Sequence, residues 1–238
     1  MKRLDKLVVF SILSFFLFLC PYVVKADGSA SSGFSGNSSV YVGNNIDVTL
    51  YVNVNNSGQG MAAIQGNISY DTSKLSLVSV TSLAPYQMQL EGSVLAGMDS
   101  TLSRTIKGYS NIMRFTFKAN AIGSANISFN SVKYFDGNNT SISGGGCSKQ
   151  IQIVNPPSSN NNLSSLTVSN GSINFNKNNT NYSVNVDSNV TSINISASAE
   201  DSGASISGTG VKGLNFGNNR FDIVVTAPSG ARKTYTIN

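Results

Sequence analysis

Few side chains in this chain could support catalysis. Its 238 residues include no histidine, so neither a histidine-activated nucleophile nor a histidine metal ligand is available. Of the two cysteines, Cys20 lies in an apolar leader and Cys147 stands alone near the last predicted strand of its segment. A free cysteine in that position is expected to pack as a small apolar residue. The sequence therefore predicts no cysteine nucleophile and no zinc site.

The carboxylates are scattered along the chain. Glycoside hydrolysis needs two acidic side chains on either side of the scissile bond, and only Glu200 and Asp201 are adjacent, in a predicted turn. The run Asp136-Gly137-Asn138-Asn139 could supply oxygen ligands to calcium, but a hairpin turn explains it more simply. We predict no catalytic residue, no bound metal and no cofactor.

Residues 1–26 have the pattern of a secretory signal peptide. Three basic residues precede the apolar run Leu7–Leu19, and a small residue, Ala26, stands at the expected cleavage position. The alternative is an uncleaved membrane anchor, because the longer stretch Leu7–Val24 is close to spanning length. Pro21 and Ala26 favour cleavage. We therefore predict a secreted protein, free or associated with the cell surface, with no membrane insertion after the signal is removed.

The predicted leader carries most of the excess positive charge. The chain has 16 basic and 11 acidic residues, of which four basic and one acidic lie in residues 1–26. The remaining 12 basic and 10 acidic residues form no basic patch of the kind that binds nucleic acid. Regularly placed Val, Ile, Phe and Tyr residues indicate a folded chain in spite of its low charge.

The segment before residue 154 is a series of predicted strands. Apolar residues occupy every second position from Ile46 to Val54, which indicates a strand with one buried face. A change of parity between Leu77 and Val78 predicts a β-bulge. Leu83–Gly97 has no clear period and is interpreted as a short helix or a long loop.

A linker divides the chain into two parts. Residues 155–162 include Pro156-Pro157 and no apolar side chain other than the prolines, which is typical of an extended spacer. Short predicted strands follow it, among them Ile173–Phe175 and Tyr182–Val186. The sequence predicts an all-β protein of two tandem antiparallel β-sandwiches. The boundaries are a signal peptide at 1–26, sandwiches at 27–154 and 163–238, and the linker between them.

The first sandwich resembles cohesin domains. GMAAIQGNISYDTSKLSLVSV (60–80) is similar to the cohesin segment in which a strand ends in Tyr-Asp and an L-x-x-V-x-V run follows; IMRFTFKA and ISFNSVKYFDGNN are similar to later strands. The resemblance implies a nine-strand jelly roll that docks a dockerin domain. It also implies an altered contact, because Ala63 and Gln65 stand where type I cohesins usually offer Asn and Asp.

The second sandwich resembles the cadherin-like β-sandwich repeat of surface proteins from Gram-positive bacteria. The similarity is carried by LSSLTVSNGSINF, NYSVNV and SGARKTYTIN. It implies a module of the Ig/cadherin-like type that acts as an extracellular spacer or adhesion unit without enzymatic activity.

Three binding roles remain open at this point. The chain could be a protein-interaction module for a dockerin-like partner in a polysaccharide-degrading or cell-surface assembly, a polysaccharide-binding module, or a passive spacer or adhesin of the wall. For polysaccharide binding, Tyr51, Gln65, Asn67 and Ser69 would form one face if their strands are neighbours. A Lys–Asn isopeptide cross-link would need a buried lysine, asparagine and acid in contact.

Overall fold

The computed structural model describes residues 25–55, 58–101 and 103–238. Nearly all of the predicted signal peptide lies outside these residues. Contacts divide the chain into two units, Met1–Asn155 and Pro156–Asn238. Across the described residues, no helix is present that is long and apolar enough to span a membrane.

The described part of the first unit consists of eleven strands joined by turns and loops. They are β1 (Lys25–Ser35), β2 (Ser39–Tyr41), β3 (Asn45–Asn55), β4 (Met61–Tyr70), β5 (Leu75–Ser82), β6 (Gln87–Glu91), β7 (Val94–Met98), β8 (Gly108–Ala119), β9 (Gly123–Asp136), β10 (Ser141–Gly145) and β11 (Cys147–Val154). Strand β3 shows why they form: Val48, Leu50 and Val52 are fully buried, and the residues between them are half-exposed. The period-two prediction for this strand is confirmed.

These strands form one sheet that encloses its own core. Their order is β5-β8-β3-β1-β10-β9-β4-β7-β6, with β11 paired to β9 and β2 paired to β11. Strand β1 joins the two halves, because it pairs antiparallel with β3 and parallel with β10. Phe115 and Phe117 from one half and Ile64 and Phe129 from the other belong to the same buried cluster. The first unit is therefore a two-layered β-sandwich, as predicted.

Two local predictions for the first unit have opposite outcomes. The β5–β8 register shifts between Leu77 and Ser79, so the predicted bulge is confirmed. The prediction of a helix or a long loop over Leu83–Gly97 is wrong, because this segment contains the hairpin of β6 and β7. Strand β6 alternates polar and apolar residues, and Gly92 adopts φ 58° in the turn, where a glycine has little steric cost.

The second unit has its own strands and its own core. The strands are β12 (Leu163–Val168), β13 (Asn181–Tyr182), β14 (Ser192–Ala199), β15 (Ser205–Ser207), β16 (Gly210–Gly213), β17 (Phe221–Thr226) and β18 (Arg232–Ile237). They form two sheets, β12-β14-β16 and β13-β18-β17-β15. Leu166 and Ile195 from one sheet and Ile223 and Tyr235 from the other share one buried cluster. This is the predicted second sandwich.

Of two strands predicted in the second unit, one is absent and the other is shorter than expected. Ile173 and Phe175 lie outside any strand, and the strand predicted over Tyr182–Val186 is reduced to Asn181–Tyr182. The Tyr182 hydroxyl donates to the Asn176 carbonyl oxygen at 2.7 Å and accepts from the Asn176 N–H at 3.1 Å. The Tyr182 side chain therefore bonds backbone groups of Asn176 that would otherwise pair with a neighbouring strand. Ile173 and Phe175 pack, partly buried, against the core without belonging to a strand.

Candidate interaction site

One surface of the first domain is built by four adjacent strands, β9, β4, β7 and β6, and we call it the outer face. Residues directly opposite each other in an antiparallel pair share a side of the sheet. The side chains that point away from the buried core are Lys133, Phe135 and Asn130 on β9, Ala63, Gln65 and Asn67 on β4, Val94, Ala96 and Met98 on β7, and Gln87, Gln89 and Glu91 on β6.

The outer face is arranged in rows across the strands. Gln65 lies opposite Lys133 on β9 and opposite Ala96 on β7. Asn67 occupies the same position in the next row, between Asn130 and Val94. The interior of the face therefore combines amide groups with small or apolar side chains.

Two glycines on the inner side of the same strands allow close packing beneath the outer face. A Cβ atom at Gly66 would lie 2.5 Å from the Phe129 ring, and one at Gly97 would lie 1.9 Å from the Met88 sulfur. Phe129 is fully buried, so its ring has no room to move aside. The glycines let β4 and β7 lie directly on the core, which fixes the position of the face.

The outer face carries little charge. Of its twelve side chains, only Lys133 and Glu91 are charged, and they lie on its outermost strands, β9 and β6. Among the described residues, the side-chain amides of Gln65, Asn67 and Asn130 make no intramolecular hydrogen bond. Each amide keeps both a donor and an acceptor for a partner.

The structure separates the four residues predicted as one binding face. Gln65, Asn67 and Ser69 share the exposed side of β4. Tyr51 lies on β3, and β1, β10 and β9 stand between β3 and β4 in the sheet. Its ring lies across Gly33 and packs on Tyr109, with ring centroids 4.8 Å apart. The condition for a shared face, that these strands are neighbours, is not met.

Sequence analysis named only Ala63, Gln65 and Asn67 of the outer face and missed the other nine residues, among them Gln89, Met98 and Phe135. Gln89 and Met98 belong to the hairpin mistaken for an irregular segment. The signal that could have found them is the alternation of Gln87, Gln89 and Glu91 with buried Met88 and half-buried Leu90. Tyr86, which directly precedes β6, is buried and offers no aromatic surface to a ligand.

The remaining chemical candidates are accounted for by packing and turns. Cys147 is half-buried against the core, and desolvation raises the pKa of its thiol, which lowers its reactivity. The carboxylate of Asp136 accepts the N–H groups of Asn138 and Thr140 in the β9–β10 hairpin, so the predicted turn is confirmed. Within the described residues, no cluster of three metal-ligating side chains is found.

The second domain brings a lysine, an asparagine and an acid together. The Lys233 ammonium donates to Asn162 Oδ1 at 3.0 Å, and Asn162 Nδ2 donates to Glu200 at 3.1 Å. An isopeptide bond would need these groups to be buried with a protonated acid. Here Glu200 is exposed and is paired with Lys177, whose hydrogen bond, with those of Asn162 and Asn160, lowers the pKa of Glu200 to about 2. The group is a surface polar network that ties β18 to the start of β12.

We expect this network to weaken in acid. Because the folded-state pKa of Glu200 lies below its ordinary value of 4.5, its ionised form stabilises the fold above about pH 4.5, and this contribution is lost as the pH falls towards about 2. Glu200→Gln should therefore lower the stability of the second domain at neutral pH and reduce the difference between its melting temperatures at neutral pH and at about pH 3.

Asp71→Asn is the matched control for this pH test. Lys74 and Ser73 lower the pKa of Asp71 to about 2, and all three residues lie in the first domain. The acid dependence of the first domain should change in that variant, and that of the second should not. An unchanged acid dependence of the second domain in Glu200→Gln would show that the network does not contribute.

Comparisons with known proteins match both domains. The family model of the Cohesin domain matches residues 34–153, and that of the Cadherin-like beta sandwich domain matches residues 163–238. No curated protein matches the chain.

Among solved structures, the chain is similar to cohesins of low sequence identity. A cohesin module from a family 33 glycoside hydrolase of Clostridium perfringens ATCC13124 is 16% identical, with 55% of this chain and 100% of that chain covered and a TM-score of 0.47. A non-cellulosomal cohesin from the hyperthermophilic archaeon Archaeoglobus fulgidus is 17% identical, with coverages of 53% and 91% and a TM-score of 0.44.

A third similar structure is a type I cohesin–dockerin complex, Coh-OlpC-Doc435, from Clostridium thermocellum. It is 12% identical, with coverages of 56% and 99% and a TM-score of 0.45. The assignment rests on the family model, which spans half of the sequence: the chain belongs to the cohesin family, with a cadherin-like β-sandwich domain after its cohesin domain.

Proposed function

We propose that the cohesin domain docks a dockerin-type protein partner on its outer face. Two facts support this: the chain belongs to a family of protein-interaction modules, and the face is nearly uncharged and rich in unpaired amides. The unpaired Gln65, Asn67 and Asn130 side chains carry the proposal, because an interaction surface needs hydrogen-bonding groups that the fold itself does not use.

The chemistry of the face restricts the partner. A charged partner surface would lose its hydration on binding, which costs free energy. Only Lys133 and Glu91, on the outermost strands of the face, could form ion pairs with it. A partner that presents hydroxyl, amide and small apolar groups would satisfy Gln65 and Asn67 and cover Val94 and Met98. We therefore propose a dockerin whose contact surface is less charged than the partners of type I cohesins, consistent with Ala63 and Gln65 in this chain.

The setting proposed for this interaction is extracellular. The predicted signal peptide supports export, and the cadherin-like domain supports a role as a spacer between the docking module and its attachment. We propose that the chain scaffolds partners in a polysaccharide-degrading or cell-surface assembly. Neither domain type is catalytic, so the enzymes of such an assembly would be the partners and not this chain.

Direct polysaccharide binding by the cohesin domain has less support. That role was predicted for a face combining Tyr51 with the β4 amides, and three strands lie between β4 and the strand that carries Tyr51. A passive spacer is the other alternative, and it predicts neither dockerin capture nor polysaccharide binding.

The docking proposal is tested by capture. The purified chain is immobilised and exposed to a panel of purified dockerin domains of differing surface charge, with binding measured by biolayer interferometry. We expect saturable binding of at least one dockerin from the less charged end of the panel. Failure of every dockerin to bind would contradict the proposal.

A further inference from the structure

The second domain presents an exposed phenylalanine on a loop that is closed by hydrogen bonds. Phe216 is 93% exposed, more than any other large apolar side chain in the described residues. The loop from Asn215 to Asn219 is closed by one side chain: Asn219 Nδ2 donates to the carbonyl oxygens of Asn215 and Gly217 at 2.9 and 3.1 Å, and Asn219 Oδ1 accepts the Asn215 N–H at 3.0 Å. Gly217, at φ 91°, makes this turn possible.

This loop borders a cavity of about 500 Å³, a volume typical of small-molecule sites. The opposite wall is the irregular segment from Ser183 to Thr191, and Leu214 N–H donates to the Thr191 carbonyl oxygen at 2.9 Å, which ties the walls together. Buried Ile193 and Ile237 form part of the floor. The cavity therefore has apolar side chains at its base, and the segment that carries Phe216 is hydrogen-bonded to the other lining segment.

The lining groups define the ligand chemistry. Amide and hydroxyl side chains line the walls, among them Ser183, Asn185, Asn215 and Asn218. Of the described residues that line the cavity, Asp187 alone has a charged side chain and none is basic, so an anionic ligand would find no countercharge. An apolar peptide side chain would bury the amides without partners, at a free-energy cost. A ligand with many hydroxyl groups and apolar C–H faces would bond the amide and hydroxyl side chains of the walls and also cover the apolar floor.

We propose that this cavity binds a neutral saccharide, with one sugar ring stacked on Phe216 and its hydroxyls bonded to the surrounding amides. The site lies in the cadherin-like domain and is independent of the docking function proposed for the cohesin domain. It would hold the chain on a neutral glycan while the outer face captures a protein.

The test uses the full chain in native affinity gels cast with one of three neutral polymers: barley β-glucan, xyloglucan or galactomannan. A gel with polygalacturonate serves as the anionic probe. We expect at least one neutral polymer to retard the protein and polygalacturonate to have no effect. Phe216→Ala should weaken the retarding interaction by about tenfold, because the stacking surface is lost.

Tyr109→Ala is the matched control, since Tyr109 is an exposed aromatic residue, 59% accessible, on the cohesin domain. It should leave retardation unchanged, and Phe216→Ala should leave dockerin capture unchanged, which separates this proposal from the docking proposal. The proposal is overturned if no neutral polymer retards the chain, if Phe216→Ala is retarded as strongly as the parent, or if polygalacturonate is the stronger ligand.

Discussion

Replacing Asn67 by arginine should abolish dockerin capture, weakening affinity by about a hundredfold or more, which corresponds to about 3 kcal/mol. Asn67 lies in an inner strand of the outer face, between Asn130 and Val94. An arginine there would place a bulky charge at the interface and force a partner to bury it unpaired. The affinity is measured by biolayer interferometry with a dockerin that the parent chain captures.

The control for this variant is Asn111→Arg, the same chemical change on strand β8 of the other half of the sheet. Asn111 is exposed, as Asn67 is, and lies outside the outer face. Both variants should unfold within about 0.5 kcal/mol of the parent, as expected of surface substitutions. Equal loss of binding in the two variants, or full binding by Asn67→Arg, would mean that the partner docks elsewhere.

Replacing Phe129 by alanine should lower the free energy of unfolding of the cohesin domain by about 3–5 kcal/mol. Phe129 is fully buried beneath β4, and its ring occupies the space left by Gly66. Removing the ring leaves a cavity in the layer that supports the outer face. Equilibrium denaturation in guanidinium chloride, followed separately for each domain, measures the loss.

The second domain provides the control for this stability test. Its buried residues form a separate cluster, so its own unfolding should not change in Phe129→Ala. Phe216→Ala makes the same chemical deletion at an exposed site and should alter stability by no more than about 0.5 kcal/mol. A loss below about 1 kcal/mol in Phe129→Ala would show that the ring is not a core element of this domain.

The alternation of apolar and polar residues predicted a strand correctly where only one face of that strand is buried. Along β3 every second side chain is buried, and a register slip would expose all of them, so the alternation specifies both the strand and its inner face. The same reasoning located the bulge after Leu77, where the parity of the apolar positions changes.

The same alternation failed to predict the structure in two cases. In one, side chains take the place of the hydrogen bonds between strands; in the other, the site depends on which strands are neighbours in the sheet. Phe175 is apolar and packs near Tyr182 and Tyr235, yet the Tyr182 hydroxyl holds this segment in an irregular path. Alternation within a strand cannot reveal which strands are neighbours. Tyr51 and Gln65 were correctly assigned to exposed sides, but strand order places them apart.

Hydroxyl-radical footprinting of the chain with and without a captured dockerin tests the docking account most directly, since it reads sulfur-containing and aromatic side chains. Met98 and Phe135 lie on the outer face, and Tyr109 and Phe216 lie outside it. The account predicts that bound dockerin protects Met98 and Phe135 from oxidation and leaves Tyr109 and Phe216 unchanged. Protection of Tyr109 or Phe216 with no protection of Met98 and Phe135 would contradict it.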